Sequence, residues 1–292
     1  MSDSATREFT EHRELLFSVV YSMLGSVADT EDVLQETWVA WAPRAEQGEI
    51  AHPRAYLVRI AVNKALARQE VIRRRRETYV GPWLPEPLVT TEEPDTEAVS
   101  MALMVVLETL TPLERAVFIL HEVFGYSHPE TAQILGRSPA SVRQLAHRAR
   151  EHVQARRPRY RVDPRLRHQV TERFAAAVGG GDLDALLRLL APDVTMWADG
   201  GGKATDAGPR PVHGRDQVAQ LLATRGEQQA GRPGGGLEVR YRLVNGDPSA
   251  LLYRGERLFG VLVLDLTPDD GQVCGIYFLT NPDKFAHLSA QE

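Results

Sequence analysis

The chain is poor in cysteine and has no long apolar run. Among its 292 residues Cys274 is the only cysteine, which excludes an intramolecular disulfide framework and a multi-cysteine metal cluster and suits a reducing cytoplasm. No apolar stretch reaches membrane-spanning length, and the N-terminal sequence MSDSATREFTEHRELLF is too polar for a signal peptide. We therefore expect a cytoplasmic protein without membrane association, in which Cys274 is a small core residue of an apolar strand.

A phosphate-binding loop is also lacking, although one segment comes close to it. The sequence WADGGGKATDA (197–207) has three glycines followed by a lysine. The P-loop pattern requires a glycine where Trp197 stands, a serine or threonine where Ala204 stands, and a helix directly afterwards. The segment fails all three requirements, so we expect no nucleotide site there, and no cofactor or metal site elsewhere.

Net positive charge is absent, but positive charge is concentrated locally. The 34 basic and 39 acidic residues give a formal net charge of −5, which argues against non-specific coating of nucleic acid. Residues 73–76 are nevertheless four consecutive arginines, and residues 143–161 carry seven arginines against one acid, Glu151. Local basic surface of this kind is what contact with phosphates or a DNA groove requires.

Composition divides the chain into segments. Residues 8–78 show helical periodicity, 79–97 are rich in proline and acid and are predicted to be an extended linker, and 98–157 are helical again. Two further helices, at about 165–178 and 183–190, precede strand-like alternation. The last segment is therefore predicted to be α+β, with helices packed on a mostly antiparallel sheet.

The second helical segment contains the strongest local signal. TPLE (111–114) and SHPE (127–130) are capping boxes, the second helix stops at Gly136, and SPAS (138–141) begins a third helix. This arrangement predicts a helix-turn-helix. One side of the third helix is apolar; the other carries side chains that bond bases and phosphates, namely Arg143, Gln144, His147 and Arg148. A solvated basic face on an ordinary bundle is the alternative.

The first helical segment contains two polar faces. In SVADTEDVLQETWVAWAPR (26–44), Asp29 is predicted to cap a helix, with an acidic and amide face formed by Asp32, Gln35 and Glu36. That face is either a solvated surface or a docking surface for a partner helix. Downstream, Tyr56, Arg59 and Asn63 share a face with the chemistry that suits single-stranded nucleic acid.

Two segments resemble the extracytoplasmic-function sigma factors. DTEDVLQETWVAWAPR with PRAYLVRIAVNKALARQEVIRRRR resembles region 2 of that family, and LTPLERAVFILHEVFGYSHPETAQILGRSPASVRQLAHRARE resembles region 4. The resemblance implies a bacterial RNA polymerase subunit that binds core enzyme and promoter DNA. It implies contact with the clamp helices of the largest subunit through Asp32, Gln35 and Glu36, capture of the −10 element by Arg54, Tyr56, Arg59, Asn63 and Lys64, and recognition of the −35 element by Ser141, Arg143, Gln144, His147 and Arg148.

The remaining chain resembles a SnoaL-like (NTF2-like) cone. One class of these sigma factors carries such a domain together with three short motifs, which appear here as WLPEPL (83–88), DGGGK (199–203) and NPDKF (281–285). NPDKF differs from the usual NPDKL in its last residue, an apolar exchange. The resemblance implies that the fused domain regulates the sigma segments in cis. We expect the interdomain contacts to come from Trp83, Leu84, Pro85, Glu86, Pro87 and Leu88, from Asp199, Gly200, Gly201, Gly202 and Lys203, and from Asn281, Pro282, Asp283, Lys284 and Phe285.

The predicted protein is therefore multidomain: two all-α sigma domains, a region 2 bundle and a region 4 helix-turn-helix, followed by an α+β SnoaL/NTF2-like cone. The expected boundaries are 1–78, 79–97 for the linker, 98–160 and 165–292. We expect a monomeric, non-enzymatic protein, and leave open whether the cone binds an unknown small ligand. Two alternatives remain at this point, a stand-alone helix-turn-helix regulator with a ligand-sensing domain and a SnoaL-type isomerase or cyclase tethered to a DNA-binding module.

Overall fold

The helices of the N-terminal half and the strands of the C-terminal half fall into two compact units. The first unit comprises residues 1–78, 95–99 and 103–158, and the second comprises 79–94, 100–102 and 159–292. Segments expected as separate sigma domains thus fall in one unit, whereas residues 79–94 of the linker are grouped with the C-terminal segment. The computed structural model describes residues 3–48, 50–90, 99–156, 162–204, 207–230 and 237–288.

The first unit is helical. A π-helical turn, Ile119–Val123, lies between its fifth and sixth helices. Its fourth helix begins at Met101, although residues 100–102 are grouped with the second unit. The helices are α1 (Asp3–Leu24), α2 (Val27–Glu46), α3 (Pro53–Glu77), α4 (Met101–Leu107), α5 (Pro112–Phe118), α6 (His128–Leu135) and α7 (Pro139–Arg156).

Local capping sets where several of these helices begin and end. Both predicted capping boxes are present, with Thr111 and Ser127 each bonded reciprocally to the glutamate three residues later. α6 ends at Gly136, whose left-handed φ of +63° favours glycine.

The prediction that Asp29 caps α2 is wrong. The helix begins earlier, at Val27, and the Ser26 hydroxyl accepts a hydrogen bond from the Asp29 amide at 3.2 Å. Asp29 therefore lies in the first turn, where its carboxylate is 3.4 Å from the guanidinium groups of both Arg68 and Arg75. The acid stabilises the positive end of the helix without being its cap.

A buried charge cluster joins the two halves of the first unit. The Arg115 guanidinium is 4 % exposed, donates to the Ser22 carbonyl at 2.9 and 3.1 Å and pairs with Glu108 at 2.5 Å. Arg76 of α3 pairs with the same carboxylate. Burial lowers the pKa of Arg115 to about 9 and that of Arg76 to about 9, so both remain charged at neutral pH. Glu108 is therefore the shared counterion of two desolvated cations.

The second unit is α+β, as predicted. Its helices are α8 (Pro164–Gly180), α9 (Leu183–Leu189) and α10 (Arg215–Ala230). Its strands are β1 (Val89–Thr90), β2 (Leu190–Asp199), β3 (Val212–His213), β4 (Glu238–Val244), β5 (Asp247–Arg254), β6 (Arg257–Leu266) and β7 (Val273–Leu279). They form one sheet in the order β1-β4-β5-β6-β7-β2-β3, in which only the β2–β7 pair is parallel among the described strands.

The core of this unit lies between one sheet face and the three helices. Alternate residues along β2 supply Val194, Met196 and Ala198, and α8 contributes Phe174, which is 1 % exposed. Cys274 on β7 is only half-buried, so the expectation of a core position was too strong. None of the helices in the described ranges has both the length and the apolar character needed to cross a membrane.

We predict that Glu108→Ala destabilises the first unit by about 3–5 kcal/mol, because it leaves two desolvated guanidinium groups without their carboxylate. Hydrogen exchange of the amides in α1 and α5 measures the effect. Glu70→Ala is the matched control, since Glu70 pairs with Arg73 on the exposed surface of α3. Equal protection of the α5 amides from exchange in the two variants would show that Glu108 does not stabilise the first unit more than Glu70 does.

Candidate nucleic-acid interface and linker-docking site

Helix α7 separates an apolar side from a polar one, as its sequence predicts. Val142 and Ala149 are 0 % exposed and face the unit's core. The Ser138 hydroxyl accepts from the Ser141 amide at 3.2 Å and begins the helix. Ser141 is half-buried, and the other predicted −35 residues are all exposed: Arg143, Gln144, His147 and Arg148.

The ionic partners of this exposed face are weak ones. The Arg148 guanidinium is 3.5 Å from Glu114, and His147 is 3.6 Å from Glu151 one turn along the helix. The His147–Glu151 pair is exposed on both sides and the Arg148 side chain is 64 % exposed, and ion pairs at exposed positions contribute little to stability. Phosphate oxygens can therefore replace these carboxylates at small cost.

The face predicted for the −10 element lies on α3 and is partly covered. Arg54, Arg59 and Asn63 are exposed, whereas Tyr56 is half-buried beside Trp41, with ring centroids 6.2 Å apart. The Asn63 amide donates to the Ile134 carbonyl of α6 at 3.1 Å and to the Arg59 carbonyl at 2.7 Å. One residue predicted to contact the −10 element is thus engaged by the helix-turn-helix.

The arginine block of residues 73–76 does not form a uniform basic surface. Arg73 pairs with Glu70 at 2.7 Å, Arg75 lies 3.4 Å from Asp29, and Arg76 contacts the half-buried Glu108. The block is therefore largely neutralised by acids on its own and neighbouring helices, which a linear count of arginines does not reveal.

Asp32, Gln35 and Glu36 lie together on the exposed side of α2 and line an open depression of about 390 Å³. Lys64 and Arg68 of α3 form its basic wall, with Lys64 3.1 Å from Glu36 and Arg68 3.1 Å from Asp32. Lys64, expected at the −10 face, thus pairs with the acidic face.

Val39 adds an apolar element to the same depression that the sequence prediction missed. It lies one turn beyond Glu36 and is 70 % exposed. Its position one helical turn after the acidic face was the signal available in the sequence. An apolar side chain beside carboxylates and an amide is typical of a docking surface for another protein.

In the second unit, a single buried carboxylate joins the three sequence motifs. Asp199 ends β2 with 0 % exposure. It accepts hydrogen bonds from the Tyr79 hydroxyl at 2.5 Å, the Leu84 amide at 2.8 Å and the Gly201 amide at 3.2 Å, and pairs with Lys284 at 2.6 Å. Burial and the hydrogen bond to Asp199 raise the pKa of the Tyr79 hydroxyl above its ordinary value. The carboxylate is therefore compensated by one cation and three neutral donors.

Lys284 links the C-terminal motif to the linker. Its 3₁₀ turn, Pro282–Phe285, follows Asn281, whose side chain accepts from the Asp283 amide at 3.1 Å. The buried Lys284 ammonium donates to the Leu84 carbonyl and lies 4.1 Å from the centre of the Trp83 ring. A cation over an indole face gains a further electrostatic contact.

The three glycines after Asp199 allow neighbouring segments to approach closely. Gly201 has a φ of +58°, and a side chain there would place its Cβ 2.3 Å from the Asn281 amide nitrogen. A Cβ on Gly202, at φ +71°, would lie 3.1 Å from the Val80 side chain of the linker. The positive φ favours glycine at both positions, and at Gly201 a side chain also lacks space.

The remaining motif residues lie around the edges of the Asp199 site. Gly200 is buried, and Lys203 pairs with Asp283 at 2.5 Å across the exposed rim. Phe285 is 5 % exposed. In the linker, Leu84, Pro85 and Pro87 are buried, while Trp83, Glu86 and Leu88 are half-buried. Three contributors outside the motifs were not predicted, namely Tyr79, Asn245 and His287.

The comparisons with known proteins agree with this layout. Residues 9–77 match sigma-70 region 2, residues 100–153 match sigma-70 region 4, and residues 171–275 match the SnoaL-like domain. The chain is 39% identical to the ECF RNA polymerase sigma factor SigJ of Mycobacterium tuberculosis, over 98% of this chain and 94% of that protein. The chain belongs to the extracytoplasmic-function sigma factors.

Two further similarities extend over the full length of this sigma factor. It is 29% identical to the probable ECF RNA polymerase sigma factor SigI of Mycobacterium tuberculosis, over 99% of this chain and 97% of that protein. The crystal structure of Mycobacterium tuberculosis SigJ superposes with a TM-score of 0.75 at 36% identity and covers 96% of this chain and 98% of that one. The fold class predicted from the sequence, helical sigma regions followed by a SnoaL-like domain, is confirmed.

We predict that Lys284→Met opens the linker, because it leaves the buried Asp199 carboxylate without its cation at a cost of about 3–5 kcal/mol. Chymotrypsin cleavage after Tyr79 and Trp83 in the full-length protein measures the opening. Since slow cleavage follows the population of the open form, we expect it to accelerate roughly a hundredfold or more.

Lys203→Met is the matched control for this experiment. The Lys203–Asp283 pair is as short, but its side chains are 55 % and 62 % exposed, so its loss should cost less than about 1 kcal/mol. Similar cleavage rates in the two variants would show that burial of the Asp199–Lys284 pair is not what holds the linker.

Proposed function

We propose that this sigma factor reads promoter DNA with α3 and α7 and is controlled in cis by its C-terminal unit through the docked linker. Sigma-factor function follows from the family. The division of labour within the chain, and the control, are supported by the geometry of the two units.

The partner surface for core polymerase is the depression on α2. Asp32, Gln35 and Glu36 bind the clamp helices of the largest subunit, and Val39 supplies an apolar contact in the centre of that surface. The support is the exposure of an apolar residue among polar groups that are held in place by Lys64 and Arg68. The protein engages polymerase as a monomer.

Promoter recognition is assigned to two faces of the first unit. The exposed side of α7 enters the major groove at the −35 element, where arginine and glutamine bond base edges. Arg54, Tyr56, Arg59, Asn63 and Lys64 serve the −10 element. Because the Asn63 side-chain nitrogen donates to the Ile134 and Arg59 carbonyls, those contacts must be given up before that nitrogen can donate to a base.

Control in cis rests on one observation, the buried Asp199 carboxylate. It bonds the linker at Tyr79 and Leu84 and the C-terminal turn at Lys284, so the linker cannot leave without exposing or unpairing a buried charge. The linker connects region 2 to region 4 along the chain. Its docking therefore restricts how far apart the two DNA-reading segments can move.

An enzymatic role for the cone has less support. Asp199 is neutralised by Lys284, and Tyr277 stacks on Trp197 with ring centroids 5.1 Å apart. The face of the sheet covered by helices is packed with apolar side chains. Among the described residues, no group of three or more histidine, cysteine or acidic side chains could hold a metal ion. We infer a regulatory rather than a catalytic domain.

We predict that Asp199→Asn changes transcription by holoenzyme on the cognate promoter several-fold, because the amide cannot retain the ion pair with Lys284. The measurement is run-off transcription with purified core polymerase and full-length protein. Asp193→Asn is the matched control, since Asp193 is an exposed acid on the same strand. Equal output from Asp199→Asn, Asp193→Asn and the unaltered protein would refute control through the linker.

We predict that Arg143→Ala weakens promoter binding by holoenzyme by about 1–3 kcal/mol, through loss of a base contact in the −35 element. Competition binding on fragments with intact and altered −35 sequences measures both affinity and discrimination. Arg173→Ala, at an exposed position on α8, serves as control. Retained discrimination in Arg143→Ala would remove Arg143 from the base-reading set.

A further inference from the structure

The linker completes the sheet of the second unit at one edge. β1 pairs antiparallel with β4, placing Val89 opposite Val244 and Thr90 opposite Leu243. An unpaired sheet edge presents a row of backbone donors and acceptors, and an extended segment satisfies them by strand addition. Because β1 is only two residues long, its two pairs with β4 are too few to fix where the linker lies along the sheet edge. A further contact must set that position.

Asn245 occupies an unusual backbone conformation at this edge. Its φ of +53° makes it the one non-glycine residue with a positive φ among those that the structure describes. With Gly246, at φ +78°, it forms the two-residue turn between β4 and β5, where Val244 pairs with Asp247. Asparagine tolerates this conformation, but glycine would suit the turn equally well. The turn conformation alone therefore does not explain why residue 245 is asparagine rather than glycine.

The side chain and the backbone of Asn245 both bond Leu88. The Asn245 amide donates to the Leu88 carbonyl at 2.8 Å, and the Leu88 amide donates to the Asn245 side-chain oxygen at 3.3 Å. Asn245 is 4 % exposed. The side-chain oxygen thus acts as a backbone carbonyl would and continues the β1–β4 ladder by one residue.

Leu88 is the second anchor of the hexapeptide WLPEPL. The first anchor is Leu84, whose amide bonds Asp199 and whose carbonyl bonds Lys284. Between them the chain is stiffened by Pro85 and Pro87, which fix φ and offer no amide donor. A slip of one residue at Leu88 would invert which side chains face the sheet.

We propose that Asn245, which lies outside the three sequence motifs, is a positioning residue that sets the register of the linker on the edge of the sheet by holding Leu88. The regulatory meaning of this contact rests on the proposed control in cis; the contact itself does not. Asn245 would determine where on the sheet edge the proline-stiffened segment ends.

Asn245→Gly in the full-length protein tests the proposal, because glycine suits the turn and removes the side chain whose oxygen accepts from the Leu88 amide. Site-resolved hydrogen exchange is the measurement. We expect the Leu88 amide to exchange about tenfold faster, as the loss of one hydrogen bond of roughly 1 kcal/mol or slightly more implies. Amides of the β4–β5 hairpin serve as the internal control and should keep their protection.

Two results would overturn the proposal. Unchanged exchange at Leu88 would show that the side-chain bond does not hold the linker. An equal acceleration in the β4–β5 hairpin would show that Asn245 acts through the turn. Run-off transcription with the same variant separates this inference from the proposed function: faster Leu88 exchange with unchanged transcription supports Asn245 as the positioning residue and shows that control in cis does not act through this contact.

Discussion

The second unit depends on a carboxylate that has no access to water. Asp199 is stabilised by Lys284 and by hydrogen-bond donors from the linker and its own loop. Such an arrangement contributes little net stability compared with an apolar contact, but it tolerates no partial loss. Its physical role is specificity: the linker and the C-terminal turn must both be present, in one arrangement, for the charge to be compensated.

The first unit uses the same principle at Glu108. One carboxylate balances two desolvated guanidinium groups, one from α3 and one from α5, so the segments that correspond to regions 2 and 4 share a counterion. The hydrogen bond from the Asn63 side chain to the Ile134 carbonyl joins the same two segments. Polar groups thus contribute to how the region 2 and region 4 helices of this sigma factor pack on each other.

Local chemistry was predictable from the sequence, and long-range pairing was not. The capping boxes at Thr111 and Ser127 and the stop at Gly136 were predicted correctly because all their bonds join residues within one or two turns. The prediction for Asp29 was wrong because Ser26, three residues earlier, is also a residue type that caps helices, and Ser26 is the N-cap of α2. The family resemblance identified the motif residues, yet Asp199 and Lys284 are 85 residues apart, and no spacing rule pairs them. At Asn245 the sequence shows only an Asn-Gly pair, which is typical of a turn and does not indicate a contact with the linker.

The order of synthesis gives the Asp199 site a further consequence. Lys284 leaves the ribosome 200 residues after Leu84, the linker residue that it bonds. At roughly 5–20 residues per second, the nascent linker spends about 10–40 seconds without its cation, while the helices before it can already fold. Completion of the Asp199–Lys284 ion pair is therefore a late step of biogenesis. Each new molecule passes through a state in which Asp199 lacks its cation before it reaches the one described here.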